Sequence, residues 1–206
     1  MRRLSLIAGL AVLVLIWAGP LLSVLRESFA AHMLAHMGVV AIAAPLIAIG
    51  VSDRIAAVRP SSALIASLVE LVVVWGWHMP AARLWATSFV FATIVEQAMF
   101  LAAGLFLWLT ALATAGGSTA QSASGAFALL LTSIHMTLLG ALLALASRPL
   151  YGFSEVTCFG LVLDAEQDQA LGGVVMLMVG AAVYLAGGVF LLSRLLSGNG
   201  QQRGAG

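Results

Sequence analysis

Lysine is absent from this 206-residue chain, cysteine occurs once, and charged side chains make up only 8% of the residues. Each shortage excludes something. The single cysteine, Cys158, cannot form an intramolecular disulfide or supply a multi-cysteine zinc or iron–sulfur site, so a bound metal would have to take imidazole, thioether, carboxylate or backbone donors. A formal net charge of +1, with nine arginines scattered at the ends of apolar segments, builds no nucleic-acid surface. No HExxH, GxSxG, CxxC or phosphate-cradling glycine loop occurs, so the chain reads as a non-enzyme. What it does have is apolar surface: 62% of residues are hydrophobic and the mean hydropathy is +1.10. That is the composition of a membrane protein.

Six segments are long and apolar enough to span, or nearly so: 4–25, 30–50, 61–78, 85–113, 125–147 and 169–192. They predict an all-α fold, a polytopic transmembrane bundle of about six helices forming one domain over 1–206, with a polar tail at 195–206. Pro60, Met79-Pro80, the polar run 115–124 and Arg148-Pro149 mark breaks, and the acidic stretch 151–168 reads as a loop. The first segment follows Arg2-Arg3 and is longer than the 7–15 or so residues of a signal-peptide core, which favours a retained helix over cleavage near Ser28-Phe29-Ala30. With both termini in the cytoplasm, Arg2, Arg3, Arg54, Arg59, Arg194 and Arg203 fall inside and Arg26, Arg83 and Arg148 outside, as the positive-inside rule requires. Pro45 within the second segment is tolerable because neighbouring helices can satisfy the carbonyl it frees.

All four histidines are followed directly by methionine: His32-Met33, His36-Met37, His78-Met79 and His135-Met136. On a helix His32 and His36 share one face about one turn apart, and Met33 and Met37 form a second stripe turned by roughly 100°. An imidazole within a span is costly and marks a pathway or a site. Imidazole with thioether suits copper, above all Cu(I), better than magnesium, calcium or manganese, and zinc would leave the methionines idle. The plainer reading makes the methionine stripe core packing and His78 an interfacial residue satisfied by a carbonyl or water. Glu96 and Gln97 interrupt the fourth segment near its middle. A carboxylate there stays neutral, pairs with a cation, or accepts from a ligating imidazole. Glu70 in the third segment poses the same question, with a hydrogen bond or proton path as alternatives. Asp168, with Gln169, opens the last segment and reads by itself as a helix cap.

Taken in order, HMLAH with Pro45-Leu46, Trp77-His78-Met79-Pro80, the VEQAMFLAAGLFLW helix, His135-Met136 with Pro149-Leu150-Tyr151, and Asp168-Gln169 with Gly172-Gly173 and Met176 resemble the CtaG-like cytochrome c oxidase assembly factors of the multi-helix membrane kind. The resemblance implies a protein of the bacterial inner membrane that supplies copper to a haem-copper oxidase. Its partners would be an oxidase subunit or a periplasmic copper chaperone, besides membrane lipid. It implies functional roles for His32, His36, His78 and His135, with Asp168 as a partner. Gln97 departs from the pattern, standing where a histidine is expected, and so does Met176-Leu177 where Met-Trp is expected. The rival readings are a haem-binding membrane cytochrome, a metal or proton transporter relaying through histidine, Glu70 and Glu96, and a scaffold with incidental histidines.

Overall fold

A computed structural model describes residues 1–19, 28–52, 59–114, 118–152, 155–158 and 161–203. In chain order they form α1 (Arg2–Trp17), α2 (Phe29–Met37), a π-helical turn (Gly38–Ala43), α3 (Ala44–Val51), α4 (Pro60–Trp77), α5 (Pro80–Ser88), α6 (Val90–Thr114), α7 (Thr119–Ala144), strands β1 (Val156–Cys158) and β2 (Leu161–Leu163), and α8 (Ala165–Arg203). Five stretches are long and apolar enough to cross a membrane: Phe29–Val51, Pro60–Trp77, Val90–Ala113, Thr119–Ala144 and Ala165–Ser197. Their outward faces carry large apolar side chains such as Val72, Phe91 and Ile134, each more than 60% exposed, as lipid contact demands and water would not allow. The remaining expected span, 4–25, is helical over α1, and its residues 20–25 fall outside the described residues.

Local chemistry sets the boundaries. Ser28 caps α2, accepting from the Ala31 amide at 3.1 Å. Pro60 and Pro80 each occupy the first turn of a helix, where a missing N–H costs nothing. Met79, preceding Pro80, is extended and ends α4. The fourth span starts later than the apolar run suggests: Phe89 is extended (φ −130°, ψ 126°), so residues 80–88 form a separate short helix. α7 begins within the polar run at Thr119, because Ser118 and Gln121 make a reciprocal capping box. The acidic stretch is more than a loop. Val156 pairs with Leu163 and Cys158 with Leu161 in an antiparallel hairpin. Asp164 and Gln167 then cap α8 reciprocally, at 2.8 and 3.2 Å. Asp168 is therefore inside the helix it was expected to cap, and α8 runs on through the expected polar tail to Arg203.

The core lies along α2, the π-turn and α3, with α4, α6, α7 and α8 packed around them. α1 lies against the same rod, where Ser5 donates to the Leu46 carbonyl at 2.9 Å. α7 and α8 approach backbone to backbone: a Cβ on Gly173 would stand 2.5 Å from the Ala144 nitrogen and 2.7 Å from the Gly140 carbonyl oxygen.

Pro45 explains the π-turn. It has no N–H, and its ring clashes with a helical carbonyl four residues back, so the ladder widens and the Ala44 amide reaches to Val39. Five residues before Pro45, the Val40 carbonyl accepts from Trp108 Nε1 (3.2 Å) and from Tyr184 (3.3 Å) instead.

Candidate metal centre

Three of the four histidines meet at the end of the bundle where α2 begins. His32 and His36 come from α2, and His78 from the C-terminal cap of α4. The His36 and His78 ring centres are 5.4 Å apart, and those of His32 and His78 6.4 Å. Phe100 of α6 packs 4.0 Å from His36 and 6.3 Å from each of the other two rings. A metal–imidazole bond of about 2.0 Å puts an ion about 3.2 Å from a ring centre, so two rings can share one when their centres lie within about 6.4 Å. Both distances satisfy that limit.

Hydrogen bonds assign the protons. The His78 Nδ1 lies 2.6 Å from the Val74 carbonyl, which only accepts, so Nδ1 carries the hydrogen and Nε2 a lone pair. Burial pushes the His78 imidazole down to about 4, so the ring is neutral at pH 7. Its Nε2 faces the Met33 sulfur at 3.3 Å, one electron-pair donor against another. Neither nitrogen of His36 has a hydrogen-bond partner among the described residues, although the ring is fully buried. An unpaired polar group in that setting is costly.

His32 is arranged differently. A guanidinium is always a donor, so Arg83 Nη1, 3.0 Å from His32 Nδ1, makes that nitrogen the acceptor. The hydrogen then sits on Nε2, 3.5 Å from Glu96 Oε1, while Glu96 Oε2 is 3.7 Å from Arg83. Glu96 reaches this point because α6 starts only at Val90, which moves Glu96 from mid-helix to the second turn. Arg83 reaches it because α5 folds back on α4, with Trp85 stacked on Trp77 at 5.7 Å. Counted from sequence as an orienting charge in water, Arg83 is in fact buried.

Asp168 serves the site indirectly. One carboxylate oxygen accepts from the Ser28 hydroxyl (2.6 Å) and the Ala30 amide (3.1 Å), the other from the Phe29 amide (2.6 Å). It is thus an anion on the N-terminus of α2, where backbone N–H groups and the helix dipole favour negative charge. The same contacts bury Ser28, Phe29 and Ala30, the stretch that resembles a cleavage site. Phe29 stacks on Tyr151 at 4.3 Å, and the Tyr151 hydroxyl donates to the His78 carbonyl. Burial pushes that phenol up to about 12, so it keeps its proton. Gly172 leaves room for this corner: a Cβ there would stand 2.5 Å from Phe29 and 3.0 Å from Met33.

The remaining sequence candidates lie elsewhere. His135 is buried on α7 with both nitrogens unpartnered and makes no ring contact with the other histidines among the described residues. Met136 packs toward Gly180, Met37 is buried in the core, and Met79 is 60% exposed. Gln97 accepts from Trp17 Nε1 at 3.3 Å and lines a cleft of about 290 Å³ with Trp17, Thr93, Ile94 and Ala98. Glu70 belongs to a separate network with Tyr184. Among the described residues no group of three His, Cys, Asp or Glu side chains is disposed to hold a metal ion.

The histidine motifs gave no hint of Arg83, Phe100, Phe29, Tyr151 or Ser28. Tyr151 and Phe100 stood within the motifs that carry the family resemblance, and Arg83 carried a signal of its own: an arginine just beyond the Met79-Pro80 break, beside Leu84 and Trp85, in a chain with nine such charges.

The sequence model of the cytochrome c oxidase caa3 assembly factor family matches residues 1–197. Neither a curated protein nor a solved structure matches the chain.

Proposed function

The chain belongs to the cytochrome c oxidase caa3 assembly factor family, and from that premise we propose that it is a metallochaperone which binds Cu(I) between His36, His78 and Met33 and passes it to the oxidase. The observation that carries this reading is the 3.3 Å approach of the unprotonated His78 Nε2 to the Met33 sulfur, with the unpartnered His36 ring alongside. Two imidazoles and a thioether are a soft, low-coordinate donor set that suits Cu(I). The Val74 carbonyl orients the His78 ring from behind, as carbonyl partners orient metal-bound histidines, while Tyr151 holds the His78 main chain. Arg83 and Glu96 engage the two His32 nitrogens, which keeps His32 out of the ligand set in the cation's absence. Three exchangeable donors permit release; a full histidine cage would retain the ion.

The site lies at the end of the bundle where α2 begins. We place that end at the periplasmic face of the bacterial inner membrane, with both termini cytoplasmic. With Arg83 drawn into the bundle, six arginines lie inside against Arg26 and Arg148 outside. That position suits exchange with a periplasmic copper chaperone or an oxidase subunit, and no catalytic role is required.

The test is anaerobic Cu(I) titration of the detergent-purified protein against a competing chelator, beside His36→Ala and Met33→Leu variants. Near-stoichiometric binding by the parent, weakened at least tenfold in each variant, is the expected result. A folded parent that binds no Cu(I), or variants that bind as the parent does, would overturn the assignment. A red preparation with a Soret band would replace it with the cytochrome reading.

A further inference from the structure

A second buried polar network lies one to two turns deeper than the histidines and takes no part in the metal reading. Glu70 of α4 is 0% exposed. Its Oε1 lies 2.7 Å from the Tyr184 hydroxyl of α8, which lies 3.3 Å from the Val40 carbonyl oxygen. Trp108 of α6 donates to that same carbonyl, Thr132 of α7 stands beside the carboxyl, and the Thr132 hydroxyl is shared with Ser67 at 2.9 Å. Among the described residues no cation pairs with Glu70, and its Oε2 has no hydrogen-bond partner.

Counting protons decides between two states. A phenol has one proton, and the Val40 carbonyl has none to give. If Glu70 were a carboxylate, the phenol proton would go to it as the stronger acceptor. The Tyr184–Val40 contact would then have no hydrogen, and a full charge would be left buried with only the Tyr184 and Thr132 hydroxyls beside it and no cation among the described residues, a costly arrangement in a membrane interior. If Glu70 carries a proton, every contact is filled. The carboxyl donates to Tyr184, Tyr184 donates to Val40, and the unpaired oxygen is uncharged.

We propose that Glu70 is a proton-binding site, held as a neutral carboxylic acid within the bundle and donating through Tyr184 to the main-chain carbonyl exposed by the π-turn. The ligand is the proton, and the site exists because Pro45 leaves Val40 an acceptor without a backbone donor. Infrared spectroscopy of the full-length protein in nanodiscs at neutral pH, with glutamate labelled with carbon-13, tests this. The difference between parent and Glu70→Gln should show the loss of one protonated-carboxyl stretch per chain, with a downshift in heavy water. Glu70→Gln, a neutral isostere, should keep the parent's melting temperature. Tyr184→Phe should retain the band and raise its frequency, because the acid loses its acceptor. Glu96→Gln should leave the band in place. Carboxylate bands lost in Glu70→Gln, in place of the acid band, would overturn the proposal. A Tyr184→Phe spectrum with the band unmoved would do the same, and that variant serves as the readout if Glu70→Gln does not fold.

Discussion

Replacing Asp168 separates a structural latch from a metal ligand. The carboxylate accepts three hydrogen bonds at the start of α2, from Ser28, Phe29 and Ala30. In Asp168→Ala the Ser28 hydroxyl still caps Ala31, but the Phe29 and Ala30 amides lose their acceptor inside the protein. Each orphaned buried donor costs about 1–3 kcal/mol. The helix also loses an anion worth up to about 2 kcal/mol in a partly buried setting. The two accounts overlap, so the expected loss is about 3–5 kcal/mol, a large part of the roughly 5–15 kcal/mol that holds a domain folded. Asp168→Asn keeps one acceptor oxygen but turns an NH₂ toward a row of donors, and should lose about 2–3 kcal/mol. Thermal unfolding in detergent, followed by tryptophan emission, measures both. Cu(I) affinity of the folded fraction, measured well below the transition, should be near that of the parent. An Asp168→Asn protein that unfolds with the parent yet no longer binds Cu(I) would refute the latch and restore Asp168 to the ligand set.

Three further outcomes are expected. Met33→Leu preserves volume, so its unfolding free energy should stay within about 1.5 kcal/mol of the parent's while competition titration shows the loss of Cu(I) affinity. Gly173→Val drives side-chain carbon into the Ala144 and Gly140 backbones of α7, which cannot yield as a side chain would; destabilisation of about 1–3 kcal/mol or more should appear in the same unfolding assay. Because His78 is depressed to about 4 in the fold from an ordinary value of 6.5, the unfolded chain takes up that proton first. Its stabilisation is complete above pH 6.5 and declines as pH falls through 4. Melting temperature against pH should show that slope, and His78→Gln should reduce it.

Much of this protein was written in its linear order. Apolar length alone marked the spans, because a bilayer sets a minimum run of residues whatever the neighbours are. The spacing of His32 and His36 placed them on one face before any packing was known. Pro45 announced a freed carbonyl. The reciprocal caps at Ser118 with Gln121 and at Asp164 with Gln167 are just as local, confined to four residues, yet the polar stretches that hold them read as a break and a loop. The partners were not legible. Nothing local says that Asp168 caps a helix about 140 residues earlier in the chain, that Arg83 turns inward to His32, or that His78 joins His36 while His135 stays apart. Those facts depend on how helices rotate and tilt against one another, which is set by side-chain volumes summed over whole interfaces. Residue type and periodicity determined which groups were expensive to bury; only the tertiary structure decided which of them were buried together.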